Sequence, residues 1–383
     1  MTSHVAPTNR KAPLVTSLST PAHSKNRRGY GLGEAIIVGA SLAGLMTALT
    51  LSRRGINVTL LERSDDSSRT GAALQADENL LERLTGQAVR SIAPGIQTWF
   101  HVHGALREAI AIDPAIQLHQ HSVVDIVGQN SDCAWAITRD GRKYAADIVV
   151  GADGYRSVVR RSVAPDKPDA DFAGYLIWLG LVDEAAINGR MPMDTAYLEN
   201  GSYTFLGYPL PGLDGSRTRG SRRLGWAWYD AGRQGLLRET GAVADNVVCR
   251  SLIPDEIPES MYQDLAVKAE RLWPQPWREA VADCVRRRSI IATPIAEYLP
   301  DRLVNHRLCL VGDAAHVPTP MTGGGFRASM IDAEILAQSL DGSINHPRVV
   351  PALLQYEKLR LEDVRKLVRS GQDFSRSFAA GAQ

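Results

Sequence analysis

The stretch GEAIIVGASLAGLMTALTLSRRGINVTLLER, residues 33–63, leaves the chain few ways to begin folding. Residues 35–38 form a short apolar, β-branched run. Residues 42–53 carry Leu42, Leu45 and Leu49 at helical spacing, and 57–63 reads as a second strand. A strand, turn, helix and strand this closely spaced make a βαβ unit, whose crossover sets the two strands parallel. The turn reads Gly39-x-Ser41-x-x-Gly44. Gly39 permits the tight turn and Gly44 lets helix pack on strand, while the helix N-terminus at Ser41, Leu42 and Ala43 offers free N–H groups to a pyrophosphate. Ser41 replaces the usual second glycine and adds only a small Cβ and hydroxyl. Glu62 ends the second strand 23 residues after Gly39, where a carboxylate can accept hydrogen bonds from adenosine ribose hydroxyls. The unit predicts dinucleotide binding and leaves NAD(P) and FAD undistinguished. The apolar run 35–51 is too short for a membrane span and is broken by Gly39, Ser41 and Gly44.

Two later segments repeat the pattern of an apolar strand running into a Gly-rich turn. In ADIVVGADGYRSVVRRSV (146–163) the turn is Asp153-Gly154, followed by a basic helix whose Arg156 and Arg160 either meet nucleotide phosphate or form a solvated face. In HRLCLVGDAAHVPTPMTGGGF (306–326), Gly312-Asp313 closes the strand, and Gly323, Gly324 and Gly325 open a helix that carries Asp332. Three such strand ends predict convergence on one ligand.

Composition narrows the ligand class. The 383 residues include 43 basic and 42 acidic ones, a balance that gives no field for nucleic acid or an anionic membrane. The four cysteines, Cys133, Cys249, Cys284 and Cys309, are scattered without metal-ligand spacing, so no metal site is expected and a reducing cytoplasm fits. Residues 1–33 lack acidic residues and apolar periodicity and read as a disordered tail.

Taken in order, the fingerprint ending at Glu62-Arg63, the Asp153-Gly154 motif and GDAAH…P…GGG…DA resemble the flavoprotein monooxygenases of the para-hydroxybenzoate hydroxylase type, the single-component group A aromatic hydroxylases. FAGYLIWLGLVDE (172–184) and GSRRLGWAWYD (220–230) look most like the branch that includes 2,6-dihydroxypyridine hydroxylase and flavin-dependent urate oxidase. The resemblance implies an α/β fold: a Rossmann-like FAD-binding domain in two pieces, 34–171 and 290–383, with a mixed β-sheet substrate domain over 172–289. It implies non-covalent FAD, with NADPH or NADH as co-substrate. One atom of dioxygen would pass through a flavin C4a-hydroperoxide to an electron-rich aromatic or heteroaromatic small molecule. Asp313 would hold the ribityl hydroxyls. Gly323, Gly324, Gly325 and Phe326 would face the N1–C2=O edge of the isoalloxazine, and Pro318 and Pro320 would shape the wall beside it. Arg63, Arg69 and His103 are further cofactor contacts; His103 stands where relatives often carry Arg, and Arg327 where many carry Asn. The same motifs also fit a flavoprotein of this fold that carries out Baeyer–Villiger oxidation or epoxidation, or one that binds flavin without redox chemistry. A homodimer is left open by these motifs.

The middle segment is strand-like and dense in aromatics, from which Tyr203, Tyr208 and Trp226 are taken as substrate contacts. Residues 211–225 read as an exposed hairpin loop, and 257–270 and 276–287 as helices. No catalytic base stands out; His316, His101 and Pro320 are the candidates.

Overall fold

In the computed structural model, residues 32–64, 73–87, 92–188, 192–201, 203–213, 215–341 and 347–381 are described. Arg69 and nearly all of the N-terminal tail lie outside them.

The βαβ unit forms as its sequence predicts: strand Gly33–Val38, helix Leu42–Arg53, strand Ile56–Leu61. It sits within a six-stranded sheet whose order is Val304–Asn305, Leu308–Leu310, Ile148–Gly151, Gly33–Val38, Ile56–Leu61, Ile116–His119, with all but the first edge pair parallel. The central strands are buried on both faces, which explains their unbroken apolar runs. Their register has a direct consequence for the ligand site. Val38 lies opposite both Leu61 and Gly151, and Gly151 lies opposite Leu310. The turns at Gly39, Ala152-Asp153 and Val311-Gly312 and the end of the strand leading to Glu62 therefore emerge side by side from the carboxyl edge of one sheet.

A second, antiparallel sheet contains Ala196–Asn200, Tyr203–Leu210, Arg223–Asp230 and Asp171–Asp183, with Val243–Ala244 and Val247–Val248 at its edge. Strand Ile291–Glu297 also pairs with Asp171–Asp183, so this sheet runs seven residues past the boundary expected at 290. The two faces separate by parity. Leu176, Trp178, Phe205, Leu224, Trp226 and Trp228 pack beneath helices Glu259–Leu272 and Trp277–Arg286. Tyr175, Ile177, Ala227, Tyr229 and Ile295 share the other face with Met321 of the loop at 318–325 and with Phe374 and Phe378 of the C-terminal helix Val349–Ala380. Within the segment expected to be an exposed loop, residues 217–221 are exposed, and its flanks are tied down: Arg217 donates to the Ile96 carbonyl at 3.3 Å, and Arg222 pairs with Glu184 at 2.7 Å.

Gly44 is fixed by the βαβ turn, since a Cβ there would stand 1.9 Å from the Gly39 carbonyl oxygen. Gly44→Ala gains about 1 kcal/mol in helix propensity but forces the helix off the turn, at a cost of about 1–3 kcal/mol. The expected result is a lower Tm by calorimetry despite the better helix former.

Candidate active site

The turn at 39–44 supplies one end of the site. Gly39 has φ +101°, and a Cβ on it would meet the Ala152 carbonyl oxygen at 2.5 Å, so two of the three strand-end turns touch through backbone. The Glu62 carboxylate reaches this turn, accepting from the Ala40 N–H at 2.7 Å and from Ser64. His103 arrives from helix Trp99–Ala111, stacks on Trp99 with ring centroids 4.3 Å apart, and donates from Nε2 to the Ala40 carbonyl at 3.1 Å. Ser41 stands at the helix N-cap without a side-chain capping bond, followed by half-buried Leu42 and by Ala43, which touches Gly312. Arg63 is exposed, near enough to Tyr155 to lower its pKa, although burial of that phenol raises it overall.

The Asp153 carboxylate is occupied by its own chain. It accepts from Ser157 Oγ and from the Val158 N–H at 2.7 Å, capping helix Val158–Val163. Arg160 differs from both sequence expectations, for it is neither solvated nor free for phosphate. It is fully buried, donates to the carbonyls of Tyr155, Pro168, Asp313 and Ala314, and lies 4.2 Å above the Tyr298 ring. It thereby ties the Asp153-Gly154 turn to the Gly312-Asp313 turn. Arg156 donates to the Cys249 carbonyl.

Asp313 is the opposite case. It is exposed although protein closely surrounds it. No hydrogen bond within the described chain reaches its side chain. Burial pushes its carboxyl up, while His316 and Arg160 pull it down. An acceptor at a strand end, left without a protein donor, fits a polyhydroxyl ligand.

The three glycines answer to three different constraints. Gly323 has φ +61°, a conformation that L side chains rarely adopt. A Cβ on Gly324 would stand 2.8 Å from Leu367 of the C-terminal helix. Gly325 has neither constraint: its backbone is ordinary and a Cβ would make only a 3.7 Å contact with Pro318. Gly325 also begins helix Gly325–Ser339, whose N-terminus has no side-chain cap and is open to an anionic edge. Half-buried Phe326 turns back onto the core of the parallel-sheet unit. Pro320 is exposed and opens the short turn Pro320–Thr322. These features, an exposed acceptor without a protein donor, an uncapped helix start and a glycine without an internal reason, fit a bound FAD.

The expected substrate contacts divide. Tyr203 and Trp226 lie on the helix-covered face, Trp226 with no exposure and stacked on Phe205. Tyr208 has the opposite parity; its ring lies against Gly225 and its phenol beside Ala73 of the parallel-sheet unit, with burial pushing its pKa up to about 12. At neutral pH it is a phenol and not a base. The same face holds residues the sequence reading missed: Leu179, Leu206, Met321 and Arg223. Arg223 faces Asp183 and Leu210 across the sheet, and its buried Nε has no hydrogen-bond partner. Parity along 223–230 could have identified it. Of the proton-handling candidates, His316 has no exposure and donates from Nε2 to Asp332 at 2.7 Å, while His101 is exposed in the first turn of its helix. Cys133, Cys284 and Cys309 are buried and Cys249 partly so, all as free thiols.

Asp313→Ala is expected to raise the FAD dissociation constant by one to two orders of magnitude, the scale of a charge-assisted hydrogen bond, and to do so more than His316→Ala. Flavin fluorescence titration of apoprotein measures both.

Among the described residues no helix is long and apolar enough to cross a membrane. The family model described as an FAD binding domain matches residues 33–93 and 277–371. The chain is 26% identical to 3-hydroxybenzoate 6-hydroxylase of Klebsiella oxytoca, over 91% of this chain and 90% of that one. It is 27% identical to 2,6-dihydroxypyridine 3-monooxygenase of Paenarthrobacter nicotinovorans, over 79% and 81%. Among solved structures, 2,6-dihydroxypyridine-3-hydroxylase from Arthrobacter nicotinovorans superposes with a TM-score of 0.77 at 23% identity, covering 93% of this chain and 95% of that one. The chain thus matches an FAD-binding domain model and has the fold of the para-hydroxybenzoate hydroxylase type, and its similarity to named hydroxylases supports an FAD-dependent monooxygenase.

Proposed function

We propose that the chain hydroxylates an electron-rich aromatic or heteroaromatic ring seated between the cofactor loop at 318–325 and the face formed by Leu179, Leu206, Tyr208 and Ala227. The reading assigns Asp313 to the ribityl hydroxyls, the N-terminus of helix Gly325–Ser339 to the pyrimidine edge of the isoalloxazine, and Glu62, Ser41 and His103 to the adenosine end. The observation that carries it is Gly325, a glycine which the protein's own packing does not require.

When bound, FAD accepts hydride from NAD(P)H and activates dioxygen. The chain's residues have three tasks around that chemistry. The sheet face and Met321 keep water from the ring. The helix N-terminus stabilises negative charge at the flavin edge. Arg223 is the one cation that the strands present on this face among the described residues; burial lowers its pKa and Asp183 opposes that. Its unpartnered Nε suits a substrate that is anionic in its reactive form, an ionised hydroxyl or enolate, since lost protons make the ring carbon more nucleophilic.

Two measurements test this reading. Stopped-flow reduction of flavin-loaded Gly325→Val with NADH and NADPH is expected to be slower by up to about thirtyfold, the range of a helix terminus acting on an anion, while the apoprotein's Tm stays at the wild-type value. Wild-type rate and product yield would remove the 323–325 turn from the isoalloxazine. In a screen of hydroxylated aromatics for stimulated NAD(P)H oxidation, Arg223→Gln is expected to weaken the response most for substrates with an ionised hydroxyl, by roughly tenfold in kcat/KM. An equal response to neutral and ionised substrates would remove Arg223 from substrate recognition.

A further inference from the structure

The loop at 318–325 rests on a buried charge cluster. Asp332, on helix Gly325–Ser339, has no exposure, and its carboxylate joins three segments of the chain. Oδ2 accepts from the Gly312 backbone N–H at 2.9 Å and from His316 Nε2 at 2.7 Å, and Oδ1 accepts from Arg360 Nε at 2.8 Å. Arg360 comes from the C-terminal helix, is 4% exposed, and also donates to the Ala328 carbonyl. Burial pushes the Asp332 carboxyl up, but His316, Arg360 and the Gly312 N–H together bring it below the usual range, so it is held ionised.

The two features assigned to FAD are the ends of this cluster. Gly312 immediately precedes Asp313, and its φ of +57° aims the turn; a Cβ there would collide with Ala43 at 2.6 Å, so Asp332 grips this turn where it abuts the first helix. Asp332 itself lies two turns into the helix whose start the proposed function assigns to the isoalloxazine. The same C-terminal helix presses Leu367 against Gly324 and Gly371 against Thr319 and Thr322.

We infer that Arg360, acting through Asp332, is a positioning residue that sets the Gly312-Asp313 turn and the start of helix Gly325–Ser339 in their FAD-binding arrangement, so that the C-terminal helix controls cofactor affinity from outside the binding cleft. This rests on the placement of Asp313 at the ribityl chain. A single carboxylate that fixes both the turn and the helix couples them: a shift in its position moves the acceptor and the helix dipole together. Charge alone does not suffice, because Nε must reach Oδ1 while another guanidinium nitrogen reaches Ala328.

The test is FAD titration of apoprotein variants by flavin fluorescence, with the visible circular dichroism of the bound flavin and the apoprotein Tm measured in parallel. Arg360→Met and Asp332→Asn are expected to raise the FAD Kd on the order of tenfold or more, equivalent to one charge-assisted hydrogen bond, and to alter the flavin dichroism. Arg360→Lys is expected to recover part of the affinity. Arg365→Ala, which cuts a tether from the same helix to the Pro300 carbonyl, is the comparator for a purely structural role: a lower Tm with unchanged Kd. Should Arg360→Met fail to fold, Arg360→Lys and His316→Gln carry the test, each expected to raise Kd by about threefold. Wild-type Kd and dichroism in folded Arg360 and Asp332 variants, with only Tm reduced, would overturn the inference. A wild-type Kd in Asp313→Ala would instead overturn the ligand placement beneath it.

Discussion

The cofactor site depends on the register of a parallel sheet. With Val38, Gly151 and Leu310 hydrogen-bonded in one row and Leu61 extending it, the next residues of four strands leave the sheet at the same level. This register brings segments near residues 39, 62, 153 and 313 to one edge of the sheet. Parallel strands require long crossovers, so the intervening chain is free to build other units. The antiparallel sheet is such an insertion, reached from the strand ending at Gly151 and left on the way to the strand beginning at Leu308. A ligand at the carboxyl edge of the parallel sheet therefore meets the inserted sheet as its lid.

Glycine marks this edge because backbones converge there, but each glycine answers to a different neighbour. Gly39 approaches a carbonyl, Gly44 approaches Gly39, Gly312 approaches Ala43, and Gly324 approaches Leu367. Once these internal demands are assigned, Gly325 is left over. A residue type that costs helix stability at a position where alanine would fit points to something outside the chain.

The sequence made the parallel unit legible because its signals are local: apolar runs, a Gly-x-Ser-x-x-Gly turn and a carboxylate at fixed spacing all lie within one βαβ unit. The substrate face was less legible. Tyr203 and Tyr208 sit an odd number of residues apart in one strand, so they cannot share a face, and alternation alone assigns neither to the cleft. The choice was made by helices Glu259–Leu272 and Trp277–Arg286 covering the odd-numbered side of that strand, a tertiary fact with no local signature. Arg160 was misread for a related reason. An arginine two turns past a Gly-rich turn looks like a phosphate ligand or a solvated face, and two of the four carbonyls that take up its donors come from a loop about 150 residues later.

Arg160 and Arg360 show how the same side chain serves two electrostatic ends. Arg360 meets a carboxylate, so its charge is neutralised inside the scaffold and its guanidinium acts by geometry. Arg160 meets four carbonyls and an aromatic face, with no carboxylate bonded to it. Its charge is solvated by dipoles but not cancelled, leaving a positive field behind the Gly312-Asp313 turn. Burial raises the Asp313 carboxyl overall, and that field, after the larger pull of His316, works against the rise. Substituting a hydrophobic residue at 160 would both leave carbonyls of two turns unpaired and withdraw a charge that lowers the Asp313 carboxyl, so the two motifs joined by this guanidinium are electrostatically linked.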